Sequence, residues 1–148
     1  MFTQSGNINT AAAVADLTVL DDQALVTGRG ELILNQIGES RFQVEDRTAF
    51  ILCDGMGGHA HGGLAARIVA TSIARDIKHN PPTDEDAVNA MISRASWALD
   101  TMAEVYGGAK MGTTMVMSYI NGDEITVIHC GDSRCYVYDK DKKAKYVT

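Results

Sequence analysis

The chain reads as a layered α+β fold, with strands and helices grouped along the sequence rather than alternating. Three observations lead there. Short β-like runs fill residues 17–53, two amphipathic helices follow, and after Gly112 the hydrophobic period returns to that of strands. The 148 residues, 45% of them hydrophobic, are enough for one ordinary core but not for two domains.

In order, residues 1–13 are small and polar without periodicity and read as a flexible tail, and residues 14–148 read as the folded part. The runs "LTVL", "ALVTG", "ELILNQIG", "SRFQV" and "TAFILC" are separated by Asp-Asp, Gly-Arg-Gly and Glu-Asp, which predicts antiparallel strands joined by tight turns. Leu64, Ala65, Ile68, Val69, Ile73 and Ile77 form the apolar stripe of a first helix, stopped by "HNPP". A second helix has Thr83 as its predicted N-cap and Asp84, Glu85 and Asp86 at the positive end of its dipole. Its stripe runs Val88, Met91, Ile92, Ala95, Leu99, Met102, Tyr106, and Gly107 and Gly108 close it. Then come "TTMVMSYI", a turn at "NGDE", "ITVIHC", the break "GDS", "RCYVYD", a turn at "KDKK" and "KYVT". Because "TMVMSYI" and "ITVIHC" are apolar on both faces, each strand is expected to be covered twice, by helices on one side and a second sheet on the other.

The net charge of −6 and a pI near 5.0 argue against a nucleic-acid partner, which needs clustered Lys and Arg. Cys53, Cys130 and Cys135 show no C-x-x-C spacing, so a reducing cytoplasm is the expected location. No segment has the length and hydropathy of a membrane span or an export signal, and no membrane partner is expected.

The chemistry centres on "AFILCDGMGGHAHGGLAAR", where an apolar strand ends at Asp54 and glycines follow. Gly55 to Ala60 formally match G-x-G-x-x-A, a dinucleotide-binding turn. Asp54 opposes that assignment, because it would face a pyrophosphate. Like charges about 4 Å apart repel by roughly 4 kcal/mol at an effective dielectric near 20, so acid and phosphate coexist only with a cation between them. The helix also leads to a second helix, where a dinucleotide unit needs another parallel strand. A carboxylate aimed by a rigid strand, with the Gly55 carbonyl free to approach an ion, makes Asp54 a candidate inner ligand for Mg2+ or Mn2+. The plain alternative is a helix cap followed by a turn. Glu45 and Asp46 in "RFQVEDR" and Asp132 in "HCGDSRC" add two more acidic turns, and a sandwich can gather such turns along one edge.

The stretches "VEDR", "CDGMGGHAHGGLAAR", "MGTTMVMSYI" and "VIHCGDSRCYVY" resemble, in order, motifs of the metal-dependent type 2C (PPM) serine/threonine protein phosphatases, in their bacterial form. The resemblance covers residues 38–148 and implies a four-layer α/β/β/α sandwich, of which this chain would be the N-terminal portion. It implies hydrolysis of phosphoserine and phosphothreonine in proteins by a hydroxide bridging two Mn2+ or Mg2+ ions. Position by position, Asp54 resembles the bridging carboxylate, the Gly55 carbonyl and Asp46 ligands, and Glu45 a ligand through water. Arg41 resembles the arginine that grips the substrate phosphate. Asp132 resembles the aspartate that supports the metal centre or a third ion. Met56 stands where some members have histidine, which leaves His59 the nearest candidate general acid, weighed against a histidine that shapes the loop. His61 and His129 are read as structural.

Asp54 follows Asp46 after only eight positions, a contracted hairpin, and Gly63 replaces a glutamate common in the family. Two later Asp-Gly and Asp-Asn motifs of the family do not occur, so impaired activity of this chain alone is expected. The competing hypothesis is a non-catalytic phosphatase-like module that binds a phosphoprotein or pairs with a partner chain, including a strand-exchanged dimer.

Overall fold

The computed structural model describes residues 10–16, 25–27, 47–56, 61–141 and 143–148. Thr10–Asp16 (β1) pair antiparallel with Arg47–Asp54 (β3), Thr10 opposite Asp54 and Asp16 opposite Thr48, and Leu25–Thr27 (β2) flank β1. β1 starts inside the stretch read above as a tail: its small residues lack a strong pattern of their own, and the ladder with β3 is what makes them a strand. Met115–Asn121 (β4) pair with β3, and Glu124–Cys130 (β5) with β4 across the Gly122-Asp123 turn. All neighbours are antiparallel, in the order β2-β1-β3-β4-β5. The runs read at 17–20, 31–38 and 40–44 lie outside the described residues.

Strand alternation sets the core. Ala49, Ile51 and Cys53 are buried, while Phe50, Leu52 and Asp54 between them are half-buried. On the same face Tyr119 sits opposite Ala49 and Met117 opposite Ile51, large side chains against smaller ones. Gly62–Asp76 (α1) lies on that face through Ala66, Val69, Ala70, Ile73 and Ala74, and its alanines allow a close approach to the sheet. Glu85–Val105 (α2) packs mainly on α1, fastened at one end by Arg94 to Asp76 at 2.8 Å.

The N-cap of α2 is Asp84 rather than the Thr83 read from the sequence. Asp84 has extended backbone, and its carboxylate accepts the Ala87 N–H at 2.7 Å. At the other end the N–H groups of Gly107 and Gly108 close on the carbonyls of Glu104 and Ala103. The apolar stripe expected on α2 is only partly used. Met91 and Ala95 are buried, Ile92 and Leu99 are partly so, and Tyr106 is half-exposed, because α2 rests on a helix rather than on the sheet.

Burial on both faces is partial on β4, where Met115, Met117 and Tyr119 are buried on the helix side and, on the other, Val116 is buried and Ser118 and Ile120 are half-buried. It fails for β5, whose residues are exposed except for half-buried Val127 and Ile128. β5 is the outermost described strand on that side. The second sheet there is a separate hairpin of Tyr136–Tyr138 (β6) and Ala144–Val147 (β7), which leaves a groove of about 430 Å³ lined by Ile125, Thr126, Val127 and Val137. Tyr136 and Tyr138 stack with ring centroids 6.4 Å apart and remain about half-exposed.

Candidate metal centre

Asp54 ends β3, and the chain continues the ladder for two more residues before it leaves the sheet. Gly55 bridges Thr113, and the Met56 N–H donates to the Gly112 carbonyl at 3.0 Å. Thr114 ties this strand end twice: its N–H donates to the Asp54 carbonyl at 2.9 Å, and its hydroxyl accepts the Asp54 N–H at 3.3 Å. The same hydroxyl is hydrogen-bonded to the Ser133 hydroxyl at 2.6 Å. Ser133 adjoins Asp132, so Thr114 docks the break after β5 onto the end of β3. Gly131 makes that docking possible. Its φ of +102° excludes ordinary side chains, and a Cβ there would lie 2.8 Å from the Thr114 methyl.

The turn that carries Asp132 is thereby docked on the strand end that carries Asp54. The Asp54 carboxyl is pushed above the usual aspartate range, first by its partial burial and then by the charge of Asp132. Gly55 is buried against the backbone of Gly62 at the start of α1, where a Cβ would collide with the Gly62 carbonyl. The peptide that carries Asp54 is thus held between the helix start and the Thr113-Thr114 segment.

The donor set suits a hard divalent cation. Asp54 and Asp132 are carboxylates whose mutual repulsion a cation would relieve, and the Gly55 carbonyl, next in sequence to Asp54, is a third oxygen. The adjacent thiol does not compete: burial pushes Cys53 up to about 12, so it stays protonated and is a poor ligand. Among the described residues no three acidic, histidine or cysteine side chains form a cluster. Of the residues singled out from the sequence, Asp54, Gly55 and Asp132 are placed at this end of the sheet, whereas Arg41, Glu45, Asp46 and His59 lie outside the described residues. His61 begins α1 and lies against the ring of Tyr106, centroids 4.9 Å apart, and His129 is exposed on β5.

Thr114 and Ser133 were given no role by the sequence reading. The available signal was a pair of short hydroxyl residues beside glycines, in "GTT" and "GDS", interrupting otherwise apolar strands.

Residues 24–148 match the family model described as Protein phosphatase 2C. The chain is 33% identical over 88 residues to "Serine/threonine protein phosphatase PstP" of Mycobacterium tuberculosis, in both the CDC 1551 / Oshkosh and the ATCC 25618 / H37Rv strains. That match covers 58% of this chain and 17% of each relative. No solved structure matches it.

Proposed function

Because the chain belongs to the protein phosphatase 2C family, a family of serine/threonine phosphatases, we propose that it takes part in metal-dependent hydrolysis of phosphoserine and phosphothreonine in phosphoproteins. The observation that supports this most is the docking of the Asp132 turn on the end of β3 at Asp54 through the Thr114 and Ser133 hydroxyls. In this proposal the five-stranded sheet with α1 and α2 is one half of a four-layer α/β/β/α sandwich.

Asp54, the Gly55 carbonyl and Asp132 would hold Mn2+ or Mg2+, with Asp46 as a further ligand and Glu45 acting through water, as their positions in the motifs suggest. When bound, such ions lower the pKa of water and offset charge building on the phosphoryl oxygens. Arg41 grips the phosphate through a bidentate guanidinium. His59 gives a proton to the departing serine or threonine oxygen. Thr114 keeps the two acidic turns in register by its paired hydrogen bonds. The free cysteines fit a reducing cytoplasm, and among the described residues no helix is long and apolar enough to cross a membrane.

The test is phosphate release from a phosphothreonine peptide with Mn2+. The chain is expected to turn over at an impaired but measurable rate, and Asp54→Asn to lower that rate by about 100-fold or more. Equal rates for both proteins would remove Asp54 from the site. One observation favours a second reading, a non-catalytic module that pairs with another chain: the exposure of β5 beside an apolar groove. Partner binding with neither Mn2+ uptake nor turnover would select it.

A further inference from the structure

Met56 is half-exposed, at 50%, although it is large and apolar. Its surroundings hold it in place. The backbone is fixed by the hydrogen bond to Gly112, and the thioether lies over Gly112, where a Cβ would come within 2.8 Å of Sδ. A side chain at position 112 would dislodge it.

Its location follows from strand geometry. The ladder of β3 persists through the Gly55 bridge to Thr113 and the Met56 bond to Gly112, so residues 54 and 56 share one face. Two residues of strand separate their Cα atoms by about 6.6 Å. An exposed, seated apolar side chain thus stands next to Asp54, on the same side of the sheet.

We propose that Met56 is a specificity-determining contact, receiving an apolar side chain next to the phosphorylated residue of the substrate. This rests on the phosphatase reading above. A phosphoryl group at Asp54 brings the neighbouring residue of the peptide, about 3.8 Å away from Cα to Cα, within reach of Met56. Its unbranched thioether adapts to apolar groups of differing shape. The preference is for apolar character rather than for one residue.

The experiment compares kcat/KM with Mn2+ for two phosphothreonine peptides that differ only in the residue next to phosphothreonine, Leu in one and Asn in the other. The full chain is expected to prefer the Leu peptide by about fivefold. Met56→Ala should bring the ratio close to one, and Met56→Leu should keep it, a pattern that loss of general stability would not produce. Turnover of both peptides with no preference, or a preference unchanged in Met56→Ala, overturns the contact alone. Absence of turnover on both overturns the phosphatase reading and the contact with it.

Discussion

β4 and β5 are hydrogen-bonded neighbours with similar hydropathy, yet one is buried and the other is not. "MVMSYI" has α1 beneath its inner face through the shared core, and β3 and β5 on its two edges. "ITVIHC" has β4 on one edge and the small β6–β7 hairpin near it, with Ile125 half-exposed over a groove. Apolar side chains on both faces state what a strand can bury. Position in the sheet decides what it does bury, and the hydropathy pattern carries no information on position.

Substitutions on the two strands sharpen the contrast. Met117 is fully buried on β4, and Met117→Ala is expected to cost about 2–5 kcal/mol in denaturant unfolding. A smaller loss is expected for Thr114→Val, about 1–3 kcal/mol, because the Asp54 N–H and the Ser133 hydroxyl lose their shared partner. Ile125→Thr on β5 should stay within about 0.5 kcal/mol of the parent. A cost at Ile125 as large as that at Met117 would mean that β5 is covered in solution. The least perturbing comparison is labelling by a thiol reagent at pH 8. Cys130, exposed on β5, should react in the native protein, while Cys53, buried and pushed up to about 12, should react only on unfolding.

Much of this was legible beforehand. Both helices, the strands after Gly112 and the turn at Gly122 follow from hydrophobic period and turn residues, because local patterns determine them, whereas a continuous meander does not form, since β6 and β7 pair apart from β5. β1 was missed, since "TAAAVAD" becomes a strand only by pairing with β3. Thr83 and Asp84 are both good caps, and sequence alone does not choose between neighbours. At the site, Asp54 and Asp132 were recognisable as acids at strand ends, and their meeting was expected only through a sandwich edge. What brings them together is the Thr114–Ser133 hydroxyl pair across 19 residues, a long-range contact that periodicity does not encode. The expectations on Arg41, Glu45, Asp46 and His59 rest on motif position alone.

The most direct measurement is calorimetric titration of Mn2+ into the chain and into Asp132→Asn. If Asp54 and Asp132 share one cation site, the chain binds Mn2+ and Asp132→Asn binds it about tenfold or more weakly. The parent's affinity should also fall with acidification, beginning above the usual aspartate range, because the raised Asp54 carboxyl takes up its proton early and gives up the ion. Equal Mn2+ affinity in both proteins would contradict a shared site.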